Sequence, residues 1–304
     1  MEFRKIQFTG RSSYIISLPK SWVKKHGLKQ GDSVPIAVNP DGTITVFPGE
    51  PKEVSEKKVL EISTEYSSDM AVRLVISAYI QGYDALEILF REEAPLYKVK
   101  IRKILQSLPG VEIILDEPHR ILAKSLLDEE EVNLAELLNR MRSLVISMLE
   151  DLDLLISDGS AEEILRDIHD LENELDRFYF LVLRTISRLL TKKSITEESG
   201  VIRRNFDIIG TLFIVRNVER IGDHIIRIAE NPDRVDISGY KEKFDSMFAQ
   251  IQERNLARID RLMLELKEEI KSIDYRRSIA FESYRRMLEY LENIGEAIIN
   301  MALS

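Results

Sequence analysis

The spacing of apolar positions changes along the chain, and each change marks a different kind of structure. Over the first fifty residues the pattern is short and strand-like. Phe3 to Phe8 reads as a strand reaching a Thr9-Gly10 turn, and a second strand follows with alternating Tyr14, Ile16 and Leu18. Pro19 can open a helix, because the N–H it lacks is not needed in the first turn. Lys20 to His26 forms that helix, and Gly27 supplies a left-handed cap. Two further strands flank the Pro40-Asp41-Gly42 turn, with Ile36 and Val38 opposite Ile44 and Val46. A module of roughly fifty residues built from short strands cannot bury enough apolar surface for a core of its own, so pairing with a second copy is expected.

A turn-rich, charged linker from Pro48 to Glu56 closes this module, which spans residues 1–50. The next stretch, residues 57–120, alternates strand and helix. Val59 to Ile62 reads as a strand, and Ser68 to Gln81 as a helix capped by Ser67, Ser68 or Asp69. Gly82-Tyr83 turns into a second strand, Ala85 to Phe90. A helix from about Pro95 to Leu108 stops at Pro109-Gly110, and Val111 to Leu115 is a third strand. The resulting βαβαβ order predicts a small α/β layer. It holds no glycine-rich phosphate loop and no nucleophile arrangement, so a spacer, a dimerisation domain and a small-ligand sensor all remain open.

From about Asp128 to the end of the chain the spacing becomes heptad-like. Leu134, Leu137, Leu138, Met141, Leu144, Val145 and Met148 form one stripe. Ser160 and Glu163 make a capping box for a second helix, whose stripe is Ile164, Ile168, Leu171, Leu175, Phe178, Val182, Ile186 and Leu189. A third helix is expected from about Glu197 to Glu230, stopping near Asn231-Pro232. Two more follow, roughly Tyr240 to Ile273 with a break near Asn255, and Tyr275 to Leu303. Long amphipathic helices joined by short turns predict an antiparallel bundle over residues 128–304. The fold class is therefore multi-domain and mainly α.

Charge is distributed unevenly over these modules. Residues 1–50 carry seven Lys/Arg against four acids, a net of +3, whereas the whole chain is −9 and the remainder therefore −12. A basic head on an acidic body is what results when only one module meets phosphates. The chain has no cysteine, which excludes disulfides and thiolate metal sites. Glu2, Arg4 and Lys5 interrupt any signal-peptide-like run, and the apolar stretch around Ile208 to Val215 is too short to span a bilayer. A cytoplasmic protein without membrane insertion is the expectation.

Within the bundle the sequence repeats. Asn217 to Ala229 (NVERIGDHIIRIA) aligns without gaps to Tyr290 to Ala302 (YLENIGEAIINMA), so Glu219 corresponds to Glu292 and Asp223 to Glu296. Acids four residues apart lie on one helical face, and Glu172 and Asp176 add a third such pair. Carboxylates converging from facing helices would make an oxygen-rich site for a hard or borderline cation, Mg, Mn or Fe rather than thiolate-held Zn. Read by spacing alone, the same acids also suit a solvated face. His169 and His224 lie nearby as lesser candidates. A ferritin-like oxidase would need Glu three residues before a histidine, and Val23, Asp116, Arg166 and Ile221 stand there instead.

Two resemblances sharpen these readings. The runs Arg4-Lys5, Thr9-Gly-Arg-Ser12, Ser17-Leu-Pro-Lys20 and Gly27-Leu28 followed by Gly31-Asp32 resemble the AbrB/MazE/SpoVT swapped-hairpin family, whose dimers bind DNA. By that resemblance Arg4, Lys5, Arg11, Ser12, Lys20 and Lys24 are the DNA contacts. Val218-Glu-Arg-Ile-Gly-Asp-His224 is similar to the signature of the PhoU family of phosphate-uptake regulators, helical bundles with internal repeats that bind metal at Glu/Asp-x-x-x-Asp motifs. Carried over by position, Glu172, Asp176, Glu219 and Asp223 match the first half of such a bundle, and Glu292 and Glu296 match one motif of the second. The partner motif of that half is not legible, because apolar Leu256 stands where an acid would belong before Asp260.

The combination resembles archaeal phosphate-uptake regulators, and implies a homodimeric DNA-binding transcriptional regulator whose bundle senses or relays phosphate status. A second reading makes the chain an adaptor that docks on phosphate transporter components or a kinase, the head serving only for dimerisation. A metalloenzyme would need an acid or base poised at an open metal position, and the sequence offers none.

Overall fold

The computed structural model describes residues 3–10, 13–38, 42–49, 57–91, 95–128, 131–158, 162–192, 200–231, 233 and 235–303. The chain divides into two compact units, Met1–Val54 and Ser55–Ser304. Arg11, Ser12, most of the Pro40-Asp41-Gly42 turn, the linker from Pro51 to Glu56, Ser160 of the capping box, Glu197 and Pro232 lie outside the described residues.

The first unit is two separate hairpins around one short helix. β1 (Gln7–Thr9) pairs antiparallel with β2 (Ser13–Ile15), placing Phe8 opposite Tyr14. α1 (Lys20–Lys25) follows Pro19 and ends at Gly27, whose φ of 67° explains the glycine. β3 (Ile36–Val38) pairs with β4 (Ile44–Val46), with Ile36 opposite Val46 and Val38 opposite Ile44. The first strand is shorter than the Phe3 to Phe8 run predicts. No described residue of this unit is buried; Phe3 is 92% exposed and Val38 77%.

The second unit opens with the α/β layer. β5 (Lys57–Ile62) lies parallel to β6 (Ala85–Phe90), and α2 (Ser68–Ile80) makes the crossover that a parallel pair requires. Ser67 caps α2, its Oγ accepting from Met70 N at 3.2 Å. α3 (Pro95–Ser107) leads to β7 (Val111–Glu117), and β8 (Arg120–Ser125) returns between β6 and β7, giving the sheet order β5-β6-β8-β7. β8 is absent from the βαβαβ expectation. Its alternation is real, with Ile121 and Ala123 buried, but Arg120, Ala123 and Lys124 dilute the strand signal.

The bundle consists of α4 (Leu134–Asp158), α5 (Glu162–Lys192), α6 (Asn205–Glu230), α7 (Tyr240–Glu253), α8 (Leu256–Ser272) and α9 (Ile279–Ala302). The predicted α4 stripe is buried throughout, and Ile168, Leu175, Val182 and Ile186 of the α5 stripe join the same core. The break near Asn255 separates α7 from α8. Arg254 turns into the left-handed region with φ 51°, and Asn255 Oδ1 then caps α8 by accepting from Arg258 N at 3.2 Å. α6 starts later than Glu197. Fully buried Asp207 holds its entry, accepting from Arg203 N at 2.8 Å and pairing with Arg254 at 2.9 Å.

One helix joins the two layers of this unit. Phe180 of α5 packs on the α/β core, and Arg184, only 1% exposed, donates to the carbonyls of Tyr79 at 2.8 Å and Tyr83 at 3.0 Å. Arg188 donates to Gly82 O at 3.1 Å, and both arginines approach Asp84. The α2–β6 turn is thus hung on α5. Arg184→Ala would leave two carbonyls and half an ion pair without their donor, and is expected to cost about 3 kcal/mol in chemical denaturation. A loss indistinguishable from that of an exposed arginine such as Arg166 would contradict this role.

Candidate functional site

α6 packs against α5 and α9 at positions where glycine replaces a side chain. A Cβ on Gly222 would stand 2.5 Å from Leu175 Cδ2, so glycine leaves that side chain room where it packs. The acids are placed around that contact. Glu219 and Asp223 lie three before and one after Gly222, and Glu172 and Asp176 lie three before and one after Leu175. The structure therefore brings all four predicted acids to one half-buried face between α5 and α6.

Their electrostatics follow from that placement. Burial pushes Glu172 up to about 7, and the charges of Asp176, Asp223 and Glu219 push in the same direction. Burial, then Asp223, raises Asp176 to about 6. Glu219 rises to about 7, chiefly by burial and by Asp223, with Arg216 opposing. Asp223 is raised by burial against the pull of Arg220, Arg216 and Arg227. Arg216 Nη1 donates to both Glu219 oxygens at 3.0 Å while its guanidinium lies 5.8 Å from the Tyr179 ring; Arg220 stands 3.6 Å from Asp223. Three arginines against four carboxyls leave the site short of positive charge. Arg216, Arg220 and Tyr179 were not among the predicted site residues, although Arg216 and Arg220 lie three residues before Glu219 and Asp223, the usual helix-pair spacing.

The donors suit an oxygen-preferring cation in kind. Their positions are more open than a coordination shell, since among the described residues no group of three or more acids or histidines stands close enough to hold a metal ion. His169 lies on the surface, 3.5 Å from Glu230, and His224 is buried beside Tyr290.

The second motif is built on the same geometry with different residues. A Cβ on Gly295 would meet Met263 at 3.2 Å, so Met263 takes the place of Leu175. Counting from it, Asp260 stands where Glu172 does, Leu264 where Asp176 does, and Lys267 where Tyr179 does. The missing acid is thus Leu264, 56% exposed, rather than Leu256, and Asp260 begins the motif instead of ending it. Glu292 is paired with Lys267 at 3.6 Å. Glu296 remains beside Gly295, but its side of the bundle has an internal cation and one carboxylate fewer.

In the first unit, Arg4, Lys5, Lys20 and Lys24 are all exposed, with Lys20 and Lys24 one turn apart on α1. Arg11 and Ser12, the other two predicted contacts, lie outside the described residues.

Comparison with known proteins agrees with this division. Residues 138–231 match the PhoU domain, and residues 7–55 match the family described as antidote-toxin recognition MazE, bacterial antitoxin. The chain therefore carries a PhoU domain and an N-terminal MazE/AbrB-type domain. Both are regulatory, non-enzymatic families. No curated protein matches the chain. Among the described residues no helix is long and apolar enough to cross a membrane.

The four raised carboxyls dictate a pH dependence. Each binds its proton more tightly in the folded chain than in the unfolded one, so their contribution to stability is full below about pH 4 and is lost as pH rises through the folded values near 6 and 7. In chelator-treated protein, Glu219→Gln should flatten the fall in stability between pH 5 and pH 7 and raise stability at pH 8 by about 1 kcal/mol after solvent screening. A slope identical to that of the unsubstituted chain in urea denaturation would contradict the cluster.

Proposed function

We propose that this chain is a homodimeric, DNA-binding regulator of phosphate uptake, in which the basic head binds DNA and the helical bundle senses or relays phosphate status. The observation that carries the reading is the joining of a MazE/AbrB-type head to a PhoU domain in one chain. The charge split supports it, since +3 on the head against −12 elsewhere directs a polyanion to one module. The exposure of Phe3, Ile6, Phe8, Tyr14, Ile16, Ile36, Val38 and Ile44 supports the dimer, because a second head would cover what this one leaves bare.

Arg4, Lys5, Arg11, Ser12, Lys20 and Lys24 are the proposed contacts to DNA, and Lys20 and Lys24 present two cations to successive phosphates. In the bundle, Glu172, Asp176, Glu219 and Asp223 are the proposed seat of a divalent cation, Mg, Mn or Fe, with Glu292 and Glu296 a second and weaker seat. Binding at the first cluster requires the carboxylates to draw inward and Arg216 to release Glu219. An ion there supplies the positive charge that the three arginines leave lacking. The adaptor reading, in which the head only dimerises and the bundle docks on transporter components, is the alternative that the DNA measurement separates.

DNA affinity should fall steeply between 50 mM and 200 mM salt, and Lys20→Ala should weaken binding to all sequences and reduce the salt slope by about one unit. Fluorescence anisotropy with and without residues 1–50 decides between the readings; binding that survives their removal would place the DNA site elsewhere. For the cation, chelator should lower the melting temperature of the native chain and leave the Glu219→Ala, Asp223→Ala double variant nearly unaffected, the native gain being about 2.7 kcal/mol at a hundredfold excess of ion over its dissociation constant. An equal response of both proteins, or of neither, would make the acids a solvated face.

A further inference from the structure

The other side of α6 faces α9, and there the chemistry is reversed in sign. The two helices run antiparallel: a Cβ on Gly210 would meet Met301, Asn293 Nδ2 donates to Asn217 Oδ1 at 3.4 Å, and the His224 ring lies 5.5 Å from that of Tyr290. From Asn217 the α6 side of this seam continues at helical steps through Arg220 and His224 to Arg227. The α9 side continues from Asn293 through Tyr290 to Arg286. Nearly every side chain along it can donate a hydrogen bond.

At its centre is an unmet donor or acceptor. His224 is 7% exposed, and its buried Nδ1 has no hydrogen-bond partner. A buried polar atom left so costs the folded state more than most single contacts return, unless something outside the chain satisfies it. The nearby charges indicate what that something is. Arg227 lies one turn beyond His224 on α6, and Arg286 lies one turn before Tyr290 on antiparallel α9, so both stand at the same end of the seam. Asp223 is turned towards Arg220 at 3.6 Å, and Glu289 towards Arg286 at 3.0 Å. Arg227 has no carboxylate at ion-pair distance among the described residues.

We propose that this seam binds an oxyanion of the phosphate class, with His224 Nδ1–H donating to one oxygen and Arg227 and Arg286 donating to the others. A tetrahedral oxyanion offers several strong acceptors at once, which the paired guanidinium groups and the ring nitrogen match in number and sign. Its preference for an anion rests on these side chains alone, whereas its assignment to phosphate rests on the phosphate-linked function proposed above. The seam and the carboxylate cluster share α6 and adjoin at Arg220 and Arg227, which lie three and four residues from Asp223, so anion and cation would be read from neighbouring faces of one helix.

The test is calorimetric titration of the chelator-treated full chain with inorganic phosphate in chloride buffer, and separately with sulfate. Chelation removes any contribution from phosphate held by a metal. Saturable phosphate binding is expected, weakened about tenfold or more by Arg227→Gln or His224→Gln, the loss of one charge-assisted or buried hydrogen bond. Arg227 is exposed, so its variant folds even where that of His224 does not, and Arg258→Gln on α8 should bind as the native chain does. Phosphate binding left unchanged by Arg227→Gln and Arg286→Gln overturns the site. Sulfate binding as tight as phosphate overturns the phosphate assignment. Absence of phosphate binding in a chain that still binds DNA overturns the site and leaves the regulator standing; seam-dependent phosphate binding in a chain that binds no DNA supports the site and removes the regulator.

Discussion

Side chains packed into the space beside Gly222 and Gly295 set how the helices around them meet. A Cβ would stand 2.5 Å from Leu175 Cδ2 at Gly222, and 3.1 Å from Met247 and 3.2 Å from Met263 at Gly295, so glycine leaves these side chains their room, and the residues three before and one after each contact are carried together. In the first half those residues are Glu172, Asp176, Glu219 and Asp223, and half-burial makes their repulsion expensive enough to lift three of them to about 6 or 7. In the second half the same scaffold holds Asp260, Leu264, Glu292 and Glu296, with Lys267 3.6 Å from Glu292. One packing rule thus yields one four-acid cluster and a three-acid copy of it.

A different constraint governs the head. Two three-residue hairpin pairs and a six-residue helix bury nothing among the described residues. The apolar side chains that alternate along these strands would, in a second copy, have a surface to meet. The same small module carries exposed cations on α1 and on the segment leading to β1. Function and assembly are here one surface problem.

Much of this was legible from residue patterns. The α4 stripe names buried positions throughout and the α5 stripe does so at four of its eight residues, the others being partly buried, and the ungapped repeat identifies the acids that α6 and α9 present. The break near Asn255 follows from a good N-cap after a residue that ends the preceding helix. Other features depend on what lies across a contact, and no single helix reveals that. β8 was missed because its inward residues include an alanine and its outward ones two cations. Leu264 is found at the place of Asp176 only once Met263 is set beside Gly295 as Leu175 is beside Gly222. Arg216, Arg220 and Arg184 matter through partners on other elements, which spacing along one helix cannot supply.

What remains to be joined is the bundle and the DNA. If the carboxylate cluster is a sensor, its occupancy must change what the head does, and the coupling must disappear with the acids. The direct measurement is the DNA affinity of the full chain with chelator and with excess Mg, Mn or Fe, set against the same titrations of the Glu219→Gln, Asp223→Asn variant. The account predicts an ion-dependent change in the native chain, several-fold or more at constant ionic strength, and none in the variant. Equal DNA affinity with and without ion in the native chain would contradict it.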